Sequence, residues 1–253
     1  METFRDTLLI FRRQLRLSLR NPVWVVIGLI QPILYLAFFG PLLRGMTGMP
    51  GFPAGNAWQV YVPGLLVQLG LFGSAFVGFA IIGEWRLGII ERMRVTPVSR
   101  LALLLGRVLR DVLVLLVQAV VLVGAGVAVG LRAPLVGIVI GLGFVVLLSV
   151  SLSSLSYAAG LVTKSEDAFA PLLNMITVPL MLLSGILLPM SLAPAWLDGL
   201  ARANPFRYIV DAMREVFLGN YATEVVAEGV VVALGLAVAS VAIGTRTFFK
   251  ENV

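Results

Sequence analysis

Cysteine and histidine are both absent from this 253-residue chain. That excludes disulfides, thiolate or imidazole metal sites, histidine-ligated haem and any histidine proton relay. A Ser or Cys nucleophile paired with histidine is excluded on the same ground. Charge is scarce as well: Asp, Glu, Lys and Arg make up 13% of the residues, about half of the roughly 25% usual in soluble domains. Six stretches, 21–43, 45–83, 112–131, 133–163, 168–197 and 229–245, carry none of these four residues. A helix needs roughly 20 apolar residues to cross ~30 Å of hydrocarbon. A charge near the bilayer centre costs on the order of 3 kcal/mol or more. The uncharged windows therefore mark an integral membrane protein.

What is present agrees. Hydrophobic residues make up 59% of the chain, and the net charge is +6. The basic residues lie beside apolar spans, where they read as topology signals rather than as a nucleic-acid surface. Placing both termini inside puts fourteen basic residues on the cytoplasmic side and five outside, as the positive-inside rule requires. The pattern predicts an all-α fold of six transmembrane helices in one domain, 1–253, without internal repeats. The spans fall at about Val23–Leu43, Val60–Gly83, Val112–Leu131, Leu135–Val162, Phe169–Leu188 and Gly229–Thr245. The first follows an arginine-rich segment with no A-x-A-like cleavage site, and reads as a retained anchor. Small residues four apart (Ser74 and Gly78, Gly126 and Gly130, Gly137 and Gly141, Gly235 and Ala239) allow close helix approach.

Three segments outside the spans carry further information. In residues 3–20, Phe4, Leu8, Phe11, Leu15 and Leu19 form one helical stripe, with Arg5, Arg12, Arg13, Arg16 and Arg20 opposite. This predicts an amphipathic helix in the cytoplasmic interface, its arginines at anionic headgroups. The connection 84–111 is broken at Thr96-Pro97, because the residue before proline is driven out of helical geometry. One helical piece should end near Val95 and another resume near Ser99. Glu91, Arg92 and Arg94 give the first piece both charge signs, as a docking element for a cytoplasmic partner needs. In the segment 189–228, Pro194 opens one short helix, and Asn204-Pro205 opens a second that Gly219 ends. Phe206, Ile209, Val210, Met213 and Phe217 share one face of that second helix, with Arg207 and Asp211 opposite.

The order of these elements, with GIIERMRVTPVSRLALLLGR in the basic loop and SGILLPMSLAPAWLDGLARANPFRYIVDAMREVFLG in the second connection, resembles the membrane subunit of type-2 ABC exporters. The likeness is to the branch of daunorubicin-resistance and nodulation-factor permeases. It covers nearly the whole chain and rests most on Glu91, Thr96-Pro97, Gly106, Pro189, Asn204-Pro205 and Gly219. It implies that Ile90, Glu91, Arg92, Arg94, Thr96 and Pro97 form a coupling helix seated on an ATPase. It implies that 189–219, with Pro189, Asn204, Pro205 and Phe206, forms re-entrant external helices above the path. No G-x-x-x-x-G-K-[ST] occurs, so this chain does not itself cradle ATP. ATP and magnesium belong on a separate ATPase subunit.

The expected partners are that ATPase, a second or homologous permease copy and membrane lipids; no nucleic acid is expected. The path should lie at the dimer interface in a bacterial plasma membrane. Polar residues within spans are its candidate lining: Gln31, Tyr35, Gln68, Ser74, Asn174, Thr177 and Ser184. Pro32 and Pro179 interrupt spans 1 and 5, which with span 2 are expected to line the path while spans 3, 4 and 6 face lipid. No ionisable residue lies well inside a span, which argues against proton coupling and against a paired-aspartate protease. An apolar path suits amphiphilic drugs, lipids or polyketides; no aromatic ladder for sugars is apparent. The alternative is an immunity or sensing module that moves no substrate.

Overall fold

The computed structural model describes residues 2–20, 23–45, 55–90 and 99–250. They form α1 (Glu2–Arg20), α2 (Val23–Arg44), α3 (Ala57–Ala75), α4 (Gly78–Arg86), α5 (Arg100–Val129), α6 (Leu135–Thr163), α7 (Glu166–Leu183), a 3-10 turn (Met190–Leu192), α8 (Ala195–Ala201), α9 (Pro205–Leu218) and α10 (Glu224–Lys250). Among the described residues, six segments are long and apolar enough to cross a membrane, α3 and α4 together making one of them.

The second span is not continuous. Asn56 starts α3 with a capping box: its side chain accepts from the Gln59 amide, and the Gln59 side chain accepts from the Asn56 amide. This satisfies two amides the first turn would otherwise orphan. The helix stops at Ala75 and restarts at Gly78. The Ser156 hydroxyl of α6 donates to the Ala75 carbonyl and accepts from the Gly78 amide at 2.8 Å. One side chain thus supplies the partners that the break removes, where no water is at hand. A Cβ on Gly78 would collide with Phe169 and the Ser156 carbonyl.

α5 runs unbroken for 30 residues, about 45 Å at 1.5 Å per residue. The expected start of the third span at Val112 is therefore corrected. Residues from Ser99 onward belong to the spanning helix, with the Ser99 hydroxyl capping the Ala102 amide at 3.2 Å. The Thr96-Pro97 break and the helical piece before it lie outside the described residues. α7 ends at Leu183, short of the expected Leu188, and Gly185 follows at φ 77°, in the left-handed region. α10 extends beyond the expected Gly229–Thr245 at both ends.

α3 is the innermost helix, packed by α2, α5, α6, α7 and α9. Tyr61, Leu65, Leu66 and Leu71 are fully enclosed, with Leu115, Leu122, Leu148 and Phe217 around them. Gly137 lets α6 approach the Val216 backbone of α9, and Gly141 meets the Phe217 ring, as their four-residue spacing suggests. The other faces of α2, α7 and α10 present large apolar side chains outward, among them Phe38, Leu42, Met175, Leu182 and Val238.

α1 packs along α5. Thr7 and Gln14 are its buried residues, while Phe4 and Leu19 are 78% and 71% exposed. Gly106 of α5 explains this: a Cβ there would lie 2.7 Å from the Ile10 Cβ and 2.9 Å from the Thr7 carbonyl. Close backbone approach selects the face with small and slender side chains. Phe4, Leu8 and Leu19 of the apolar stripe are exposed, whereas Phe11 and Leu15 are half-buried.

Candidate functional site

At the α1 end of the bundle, the last turn of α4 is a junction. One Glu84 carboxylate oxygen accepts from Gln14 of α1 at 3.2 Å, and the other from Arg107 of α5 at 2.6 Å. The Lys164 ammonium, just past α6, lies 5.7 Å from the Trp85 ring centroid. Arg86 pairs with Glu166 in the first turn of α7 at 3.2 Å. Asp111, which the sequence puts at the edge of a connection, is buried on α5. It accepts from the Tyr157 hydroxyl of α6 at 2.6 Å and pairs with Arg110 at 2.7 Å. Ile90 sits in an apolar cluster with Ile81, Leu104, Val108, Tyr157 and Phe248. Glu91, Arg92, Arg94, Thr96 and Pro97 lie outside the described residues.

Within the spans, the polar residues separate into two groups. Gln31 and Asn174 are exposed on α2 and α7. Tyr35 is half-buried and meets Phe39 edge-on at 5.7 Å. Gln68 and Ser74 are buried on α3, and neither finds a hydrogen-bond partner among the described residues. Thr177 and Ser184 are buried as well, bonded to the Leu173 and Met181 carbonyls of their own helix. A polar residue on α3 therefore faces the protomer's own core. The sequence reading also missed an aromatic ladder. Phe72, Phe76 and Phe79 stack at 6.4 and 6.1 Å across the break in span 2, and Phe169 closes the row edge-on at 4.9 Å. Their spacing of four and three residues was the available signal.

At the opposite end, Asn204 caps α9 by accepting from the Phe206 amide at 3.0 Å. Its amide also donates to the Leu180 carbonyl of α7 at 2.7 Å, near a helix end where carbonyls lack partners. Pro205 opens α9, and Phe206, Ile209, Val210, Met213 and Phe217 are all buried. Pro189 precedes the 3-10 turn. Arg214, absent from the sequence-level candidates, is buried on the same helix. It donates to the Val60 carbonyl at 3.0 Å and the Gly185 carbonyl at 2.6 Å, and pairs with Asp211 at 3.4 Å. Burial pulls its guanidinium down to about 10, against the opposing pull of Asp211. Burial pushes Asp211 upward, against Arg214 and Arg207. Hydrogen bonds from Arg207 and Arg202 hold Asp198 below the usual carboxylate range.

The sequence itself is similar to those of known proteins. Residues 5–218 match the family described as ABC-2 type transporter. The chain belongs to that family. It is 25% identical over 201 residues to the daunorubicin resistance ABC transporter permease protein DrrB1 of Streptomyces coeruleorubidus, covering 79% of this chain and 70% of that one. It is 24% identical over 217 residues to the probable doxorubicin resistance ABC transporter permease protein DrrC of Mycobacterium tuberculosis, covering 85% and 78%. The putative transport permease ycf38 of Cyanophora paradoxa is 24% identical over 200 residues, covering 78% and 69%. The chain is thus a multi-pass ABC-2 permease, the membrane component of an ABC transporter. Both the α4 junction and the Asn204–Arg214 end of the permease fall inside the matched region.

Proposed function

We propose that this permease is the membrane subunit of an ATP-driven exporter, coupled to a separate ATPase, with both termini cytoplasmic in a bacterial plasma membrane. The α4 junction then lies on the cytoplasmic side. Ile90 anchors the start of the coupling segment in the apolar cluster, the segment that follows it meets the ATPase, and α8 and α9 re-enter the membrane from outside. The observation that carries the path assignment is the enclosure of α3. The protomer core is filled by apolar side chains around Gln68 and Ser74, which supports a path between two copies rather than within one. The lining then comes from outward faces: Gln31 and Tyr35 of α2, Asn174 of α7 and Phe76, which is 38% exposed. Phe76, backed by Phe72 and Phe79, presents an aromatic ring without a polar tip, which suits flat amphiphiles such as drugs or lipid-like natural products.

The test uses the complex with its ATPase in proteoliposomes. Doxorubicin efflux should require ATP, and cysteines at Asn174 or Met175 should cross-link between copies while one at Val139 of α6 should not. ATP hydrolysis without efflux of doxorubicin or any lipid probe would favour a sensing or immunity module. Cross-links from Val139 alone would overturn the interface.

A further inference from the structure

Three consecutive residues, Glu84, Trp85 and Arg86, end α4 just before the segment read above as the ATPase contact. Each engages a different neighbour. Glu84 is shared between Gln14 and Arg107, Trp85 lies beside Lys164, and Arg86 meets Glu166. Together they reach α1, α5, the α6–α7 turn and α7, leaving α2 and α10 as the helices at this end that these contacts do not touch among the described residues. The contacts differ in strength. The Glu84–Arg107 pair is mostly out of solvent, with side chains 17% and 4% exposed, whereas Arg86 and Glu166 are 50% and 45% exposed. A sheltered charge-assisted bond transmits position well, while an exposed pair is screened and contributes little.

The other end of α4 is made to bend. The break at Phe76–Val77 removes helical hydrogen bonds there, and the Ser156 hydroxyl bridges it from α6. Below the break, α4 is nine residues long, about 13 Å. A short stiff rod with a break at one end and a multi-helix clamp at the other has the form of a lever. Phe76, on the break itself, stands in the aromatic row that ends at Phe169 of α7.

We propose that Glu84, Trp85 and Arg86 are positioning residues that pass displacement of the coupling segment to α1, α5 and α7, with α4 turning about the Ser156-bridged break. Glu84 is the principal member because it alone joins two helices through one carboxylate. This rests on the exporter reading, since it takes the ATPase as the source of the displacement.

The natural absence of cysteine allows clean paired spin labels at Phe4 of α1 and Met175 of α7, each 78% exposed. Distances are measured in the purified complex with its ATPase, nucleotide-free and vanadate-trapped. The unsubstituted junction should show a distance change on trapping. In Glu84→Gln the change should fall at least twofold, while ATP hydrolysis stays within about twofold of the parent. The reversed pair Glu84→Arg with Arg107→Glu should recover most of it, and Trp85→Phe should keep more of it than Trp85→Ala. A parent complex that moves, with Glu84→Gln moving as far, overturns the junction and leaves the exporter reading intact. So does a parallel fall of motion and hydrolysis that the reversed pair does not repair, since that marks a merely structural role. A permease that recovers no ATPase subunit overturns the exporter reading itself.

Discussion

The Arg214 guanidinium donates to the Gly185 carbonyl at 2.6 Å, tying α9 to the turn that follows α7. A second donor on the same group reaches Val60 on α3. Removing it leaves the Gly185 carbonyl unsatisfied, at roughly 1–3 kcal/mol, and takes from the Val60 carbonyl its bond to α9. Arg214→Met should therefore lower the thermal midpoint of the detergent-solubilised permease markedly, and Arg214→Lys should lower it less. Equal midpoints for parent and Arg214→Met would show that the guanidinium contributes nothing to this end.

The two aspartates of this region should respond oppositely to neutralisation. Asp198 is held below its ordinary value, so its contribution is present above an unfolded value of about 3.9 and fades only as pH falls through the lower folded value. Asp211 is raised, so protonation favours the folded state, and the ionised form costs stability as pH rises through its folded value. At pH 7.5, Asp198→Asn should lower the thermal midpoint and Asp211→Asn should hold or raise it. Any advantage of Asp211→Asn should shrink as pH approaches 4. The reverse order at pH 7.5 would contradict both assignments.

Re-entry of the outer segment is testable only at residues the protein itself leaves open. Phe206 and Ile209 are buried among other helices, so cysteines there are shielded with or without a bilayer. Trp196 and Leu200 of α8 are 68% and 56% exposed. Cysteines at these two positions should resist membrane-impermeant thiol reagents in vesicles and react in detergent, whereas one at exposed Asn220 should react in both. Fast reaction of all three in vesicles would place α8 in water.

Ser156→Ala takes the bridge from the break in span 2 and leaves the Ala75 carbonyl and Gly78 amide without it. A loss of roughly 1–3 kcal/mol is expected, read as a lower midpoint with the monodisperse elution profile kept. Gly78→Ala should be worse, because its methyl meets the Phe169 ring and the Ser156 backbone. A Gly78→Ala permease as stable as the parent would mean that the contact relaxes freely.

Local signals made parts of this fold legible. Asn204-Pro205, five apolar residues at helical spacing and Gly219 mark α9 and its buried face, because caps and amphipathic period act within a few turns. The protein-facing side of α1 was not legible, because the close approach of Thr7 and Ile10 to Gly106, on a helix far along the chain, sets it. Nor was the break in span 2, since no proline sits there and its partner, Ser156, lies 81 residues away from Ala75. The rule that polar residues avoid lipid located Gln68 and Gln31 alike. It does not distinguish a core from an outward face, and the structure puts one in each setting. The Phe72, Phe76 and Phe79 row was readable from spacing and was overlooked.

The enclosure of α3 also orders the birth of the protein. Val60 and Arg214, bonded in the finished bundle, are separated by 154 positions, so α3 leaves the ribosome long before its cover exists. Until α9 emerges, the apolar sides of α3 must rest against lipid or the insertion machinery, and the Val60 carbonyl lacks its arginine. Membrane helices first insert and then associate. Here the second step cannot finish until the chain is nearly complete, and a ribosome stalled before residue 205 would leave an open bundle for the quality-control proteases to find.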